Sequence, residues 1–491
     1  MIFQALAEDN IRSILALCDI YTVLSFGRTN KHLRLLTLEK LLWLDLVENL
    51  RRKGIVDQSR SETQSQSQEA LVALVKRLLT GPTSWTGPIK PKLFSLARFR
   101  SARQPPSHAE ISKQSILHGM GPADRRYRVR LLGGGKYTLF ENTTTWNLQC
   151  WNMQQSTLVW SYEKSLPGSW VRVFGAEIVD GGDAVNIVVS EAGPAQRSGM
   201  VQIVHLELRT GISTRHLVGP HRLVGNGVMN AKICGNIVCL DWVPLESDEP
   251  CRPSNYCTLV DWKNGLHLRL ALISPIDVDL IPNHVVIVKS DKLSDTPEIS
   301  VINMGALSGY WRHTTGRDYS DPELDSVDIT SGMEVMRKSI PMATGECRYG
   351  GTRILGIFES PIEDGTYRVW VQVHLSASAD TVDPSGLTVS ARQMICSYSL
   401  SLLNPPQDGI ILRQRSAHIG DFPRDSCPTI SYSGHRIQLD RRLHAHGIYY
   451  PGSQTIPLNL HPSKPYARDM STYTGALAYS VGESVIVTYF K

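Results

Sequence analysis

The chain has 491 residues, 42% hydrophobic and 20% charged, with a formal net charge of +5. That balance belongs to a globular protein with room for two or more domains and excludes a disordered chain. No stretch approaches the roughly 18 uninterrupted apolar residues of a membrane span, and no basic segment precedes an apolar run as in a secretory leader; nine scattered cysteines fit a reducing compartment, so cytoplasm, nucleus or both is the expected location.

From Leu6 to Gly54 the chain reads as three or four short amphipathic helices. Ile11, Ile14 and Leu15 recur at one-turn spacing behind Glu8 and Asp9, whose charge suits a helix N-terminus. Asp19 is placed to cap a second helix, IYTVLSF, with Ile20, Val23 and Leu24 along one side. NKHLRLLTL follows with a basic face, and Thr37 is expected to cap a last helix. In that helix Leu42, Leu46 and Leu50 form one stripe and Trp43 and Val47 another; Arg51, Arg52 and Lys53 complement its C-terminal dipole, and Gly54 stops it. A unit of about 50 residues is marginal alone, and its apolar faces exceed what such short helices bury among themselves. It reads as a docking module, with a helical cap folded onto the rest of the chain as the plainer alternative.

The run Leu6-Ala7-Glu8-Asp9, the Ile14-Leu15 pair, the Leu17-Cys18-Asp19 step, Leu24 and the Leu42-Trp43 ending resemble an F-box, and LLWLDLVENLRRKGIVD is similar to the form common in fungal F-box proteins. Ala7 stands where that motif usually has proline, and the match covers about a tenth of the chain. The resemblance implies docking on a Skp-type adaptor and, through it, a cullin of an SCF ubiquitin ligase. Leu6, Ile11, Ile14, Leu15, Ile20 and Leu24 would supply apolar anchors, since helix-in-groove recognition uses such spacing, with Trp43 and Leu46 joining them or holding the helices together.

Residues 57–69, DQSRSETQSQSQE, read as a flexible loop or linker, and ALVALVKRLLTGPTSW as a bracing helix near 70–79 that ends at Gly81-Pro82. The linker, placed at 57–125, is basic: residues 57–130 carry thirteen Lys/Arg against five Asp/Glu, whereas residues 131–491 carry thirty against thirty-five. KPKLFSLARFRSAR (90–103) and RRYRVR (125–130) interleave Leu, Phe and Val, which favours a packed connector over a nucleic-acid site.

From about residue 126 to 491 the pattern turns to short β-strands between Gly, Asn, Asp and Ser turns. LLGGGKYTLFENTTTWNLQCWNMQQSTLVWSY is the clearest unit, with looser copies near VDGGDAVNIVVS, ICGNIVCLDW, IPNHVVIVKS and GTRILGIFES, and a closing pair in TGALAYSVGESVIVTYF. The fold expected is therefore α+β and multidomain: a helical module at 1–56, then a β-propeller of six to seven blades, with a pair of β-sandwiches as rival. The resemblance to WD-type propellers is eroded: the Gly-His and Trp-Asp signatures are missing from most units, and the middle carries inserts such as PLESDEPCRPSNY and SADTVDPSGLTVSARQ.

Catalytic motifs are weak. Cys234, Cys239, Cys251 and Cys257 are spaced too widely for a zinc ribbon and read as buried thiols. His444 and His446 lack further ligands nearby, and Gly133-Gly134-Gly135-Lys136 lacks the strand-loop-helix context of a phosphate loop and reads as a blade's entry turn. The expectation is a non-enzymatic adaptor without metal or cofactor, binding a protein substrate on its β domain. The alternative is a ligand-binding or enzymatic propeller with a structural helical cap.

Overall fold

A computed structural model describes residues 6–85, 109–120 and 129–491, apart from the connections at 143–146, 166–167, 194–198, 222–225, 245–254, 273–276, 291–296, 314–325, 329–333, 341–346, 378–391, 403–409, 422–429, 441–444, 450–455 and 459–465. The basic run 90–103, most of RRYRVR, Cys251 and the His444 pair therefore lie outside the described residues, His446 as to its side chain.

Six helices come first: α1 (Glu8–Ala16), α2 (Ile20–Phe26), α3 (Lys31–Thr37), α4 (Lys40–Arg52), α5 (Arg60–Ser65) and α6 (Gln68–Thr80). Asp19 caps α2 as its sequence predicts, its carboxylate accepting from Thr22 N at 2.6 Å. Thr37 does not cap α4. It ends α3, and its carbonyl accepts the Trp43 indole N–H at 2.9 Å, which ties the two helices together; Glu39 stands at the α4 N-cap, its side chain making no capping hydrogen bond. Gly54 takes a positive φ of 70° just beyond α4, where a Cβ would also meet Ile178 at 2.8 Å.

Residues 57–69 are not a loop. Ser59 and Glu62 form a reciprocal capping box that starts α5, Thr63 is buried beneath it, and Ser67 caps α6. Polar composition hid this turn because its stability comes from backbone capping. Ile11, Leu15, Ile20, Val23, Leu33, Leu36, Leu42, Trp43, Leu46, Val47 and Leu50 then close on Leu71, Val75 and Leu78 in one core. The helical unit thus runs through α6, well past residue 56.

The rest is a seven-bladed β-propeller. Blades I to VII span 129–161, 170–221, 226–272, 277–339, 347–421, 430–457 and 466–490, each antiparallel through its consecutive strands, with one added strand of blade III, Ser326–Asp328, pairing parallel. Blade III gains Arg312–His313 and Ser326–Asp328 at its outer edge, and blade VI has three strands plus an inner bridge from Ile430 to Arg436. Blade VII is completed from the other end of the chain: Ile111–Leu117 pairs antiparallel with Ser484–Phe490 and closes the ring. The propeller consequently starts at residue 111, inside the stretch its charge marks as linker.

Second strands are buried on both faces, because each blade packs between two neighbours. Ala184–Ala192 and Leu477–Val481 are covered at every position. This is why they read as continuous apolar runs without two-residue alternation. Polar ties join the inner strands from blade to blade. Glu177 accepts from Gly235 N at 2.8 Å, Asp277 from Ile354 N at 2.8 Å and Asp469 from Leu131 N at 2.7 Å, while Lys232 lies 3.5 Å from Asp277 and 3.4 Å from Asp279.

Candidate docking face

The helices sit on the propeller face formed by the turns between first and second strands. Arg51 donates to Gly181 O at 3.1 Å over blade II, and Tyr21 N donates to Ile362 O at 2.7 Å over blade V. Arg77 donates to Phe490 O at 3.1 Å in blade VII, and the Asp57 carboxylate lies against Gly134 of blade I. Trp85 is wedged between His435 and Phe490, with ring centroids 5.4 and 5.3 Å away.

Lys53 reaches blade V, 2.8 Å from Glu359 and 2.6 Å from Asp364, while the next residue, Gly54, touches Ile178 of blade II. Two blades separate II from V on one side and three on the other. Residues one peptide apart can touch both only where the chain crosses the channel mouth. Burial alone would lower the Lys53 ammonium, but its hydrogen bonds to Asp364 and Glu359 outweigh this and raise it. The end of α4 is thereby pinned as a charged strut.

The first four helices also carry uncovered apolar side chains. Fourteen large hydrophobic side chains are exposed among the described residues, and eight of them fall between Leu6 and Leu41. Leu17 is 87% exposed, Leu41 70%, Leu35 68% and Tyr21 54%; Leu6, Ile14, Leu24 and Leu38 complete the set. The remaining six are scattered over the propeller. Such a concentration on four short helices exceeds the single, scattered exposure of apolar residues ordinary for a protein surface.

The structure divides the expected anchors. Leu6, Ile14 and Leu24 are exposed and able to meet a partner. Ile11, Leu15, Ile20, Trp43 and Leu46 are buried in the module's own core and cannot serve as anchors on its surface. Sequence reasoning missed Leu17, Tyr21, Leu35, Leu38 and Leu41. The signal was present in α2 and α3, where apolar residues lie on both sides of seven-residue helices: Ile20 and Val23 point inward and Tyr21 and Leu24 outward, as do Leu33 and Leu36 against Leu35 and Leu38. Arg12 holds this arrangement by bridging Asp9 at 2.6 Å in α1 and Glu39 at 2.6 Å ahead of α4.

Among the cysteines, Cys239 and Cys257 come together with sulfurs 3.1 Å apart, and Asp241 joins them with ligand atoms all within 4.8 Å. The Cys239 thiol is held well above its usual range, by its hydrogen bond with Cys257 and by burial, so Cys239 packs as a neutral thiol in the blade. Gly133–Gly135 is a turn, as expected, but it joins the first two strands of blade I instead of leading into the blade, with Gly134 and Gly135 at positive φ.

No protein-family model matches the chain, and no curated protein matches it. Among solved structures, Kuenenia stuttgartiensis hydrazine synthase is similar at 10% identity over 75% of this chain and 96% of that chain, with a TM-score of 0.40. A Dos1 propeller is similar at 7% identity over 74% and 76%, with a TM-score of 0.35, and a Xanthomonas campestris gluconolactonase at 9% over 78% and 92%, with a TM-score of 0.30. At these values the likenesses carry no inference about what the chain binds or does.

Proposed function

We propose that the chain is a non-catalytic substrate-recognition adaptor of an SCF-type ubiquitin ligase. In this reading the exposed apolar face of α1–α4 docks a Skp-type adaptor, and through it a cullin, while the propeller holds a protein substrate. The observation that carries it is the exposure of Ile14, Leu17, Tyr21, Leu24, Leu35, Leu38 and Leu41 within residues 14–41 of a module that is itself fixed to the propeller. The F-box-like pattern over the same helices names the occupant.

The topology supports a division of labour. Successive antiparallel strands place first-to-second and third-to-fourth turns at one end of every blade and all other connections at the opposite end. The long inserts at 245–254 and 378–391 each leave a second strand and enter a third, so their ends lie on the face away from the helices. A substrate held there and an adaptor held at the helices are kept at a fixed relative position. The contribution to catalysis is proximity: a substrate lysine is held near the charged thioester, and other subunits perform the bond chemistry.

The test is co-expression with a Skp-type adaptor, followed by size-exclusion chromatography. The combined variant Leu17→Asp, Leu35→Asp, Leu41→Asp changes only exposed side chains and is expected to keep its fold and lose the complex. Retention of the complex by this variant would move docking elsewhere. One observation favours the second reading, a ligand-binding or enzymatic propeller with a helical cap: the end of α4 crosses one mouth of the channel, from blade V to blade II. That reading expects the full chain to be well behaved alone and indifferent to the adaptor.

A further inference from the structure

Where α4 and α5 meet blades I and II there is a cavity of about 240 Å³. It is bounded by Arg51, Arg60, Lys136 and Arg209, by Asp57 and Asp183, and by the backbone of Gly181 and Gly182. Its cations come from four separate segments: the end of α4, the start of α5, the second strand's approach in blade I and the last turn of blade II. Arg51 and Lys136 are half-buried, whereas Arg60 and Arg209 are exposed.

The charge balance of this wall is unsatisfied. Arg51 is committed, bound by Glu48 at 2.8 Å and to Gly181 O, and so is fixed in orientation. Among the described residues Arg60, Lys136 and Arg209 form no ion pair. Lys136 leans over the Tyr137 ring at 5.4 Å. With Arg51 neutralised by Glu48, Arg60, Lys136 and Arg209 face Asp57 and Asp183 and leave a net of one positive charge, and burial already disfavours the ionised form of Asp57. Guanidinium and ammonium groups on one concave site match a compact polyanion, with Val56, Tyr137, Ile178 and Leu208 supplying an apolar wall beside them. The volume is slightly below the roughly 300 Å³ at which ligand pockets for drug-sized molecules begin, which fits a small solute rather than an extended chain.

We infer that this junction is a binding site for a small phosphate-bearing molecule, held by Lys136, Arg209, Arg60 and Arg51. Because its walls belong to both the helical unit and the propeller, an occupant bridges them and stabilises their contact by mass action. The site is independent of the adaptor reading, lying on a different surface from Leu17, Leu35 and Leu41, and needs no partner protein.

Isothermal titration of the full chain with inorganic pyrophosphate tests it, beside a thermal melt in pyrophosphate and in sodium chloride of equal ionic strength. One-to-one binding is expected, with a rise in melting temperature that chloride does not reproduce. Lys136→Ala with Arg209→Ala should weaken binding about tenfold or more, whereas Arg215→Ala, at the outer edge of blade II, should leave it unchanged. No binding, or equal binding by the double variant, overturns the assignment. A phosphoserine peptide serves as a second arm: if it binds while pyrophosphate does not, the site takes a phosphorylated chain and the small-molecule assignment fails.

Discussion

Leu15 and Leu17 lie two positions apart and have opposite fates. Leu15 is buried in the module core, and Leu17, at the end of α1, is almost fully exposed. Leu15→Asp should cost at least about 3 kcal/mol, because it buries an unpaired carboxylate, and Leu17→Asp should stay within about 0.5 kcal/mol. Urea midpoints of the two variants check this. A binding defect in Leu15→Asp would then report unfolding, and only Leu17→Asp would report docking. Asp57 carries a second residue-scale prediction. Burial beside Gly134 pushes its carboxyl from 3.8 up to about 6. Between those values the folded chain keeps a proton that the unfolded chain has lost, so this group's contribution to stability falls as pH rises from about 4 to about 6. Asp57→Asn should match the wild type near pH 4 and exceed it by up to about 3 kcal/mol at pH 7.5, the equivalent of the whole shift. Denaturant titrations at both pH values decide it; an unchanged difference would mean that Asp57 is not desolvated at the junction.

At the scale of elements, legibility followed the source of each element's stability. Asp19, Gly54, Gly81 and the turn at Gly133–Gly135 act through local backbone geometry, and each could be placed from a few residues. The capping box at Ser59 and Glu62 is equally local but sits in a run with no apolar stripe, so composition outweighed it. The closing strand Ile111–Leu117 was not readable at all. Its partner, Ser484–Phe490, lies more than 360 residues away, and its outward pattern is mostly polar. Blade VI lacked a signal for a related reason, being held by Ile430, Ile437, Ile448 and Ile456 packed on its neighbours rather than by a regular strand repeat. The closing strand can be tested directly. A chain of residues 109–491 keeps it, and a chain of residues 119–491 leaves Ser484–Phe490 as an unpaired edge. The shorter chain should aggregate under conditions in which the longer one gives more monomer on size-exclusion chromatography. Equal behaviour would show that the ring does not depend on this strand.

For the whole molecule, the helical cap and the proposed docking module are one object. The side of the helices that carries Arg51, Lys53, Asp57 and Arg77 fastens to five of the seven blades, counting Trp85 against blade VI, and another side keeps its leucines exposed. Two readings that looked exclusive in the sequence are therefore compatible in three dimensions. Deleting residues 1–56 is consequently a poor control, because it strips cover from Leu71, Leu78 and Tyr473 along with the docking face. The architecture of helices followed by a propeller was legible, whereas the assignment of anchors was not. Helical spacing shows that two faces are apolar, and only packing shows which one the fold consumes.

The most direct test of docking is hydrogen–deuterium exchange of the full chain with and without a purified Skp-type adaptor. Docking through the exposed face predicts new protection across peptides spanning residues 14–41, with little change at residues 68–85 or in blades I to VII. No protection in 14–41, or protection confined to the propeller, would contradict it.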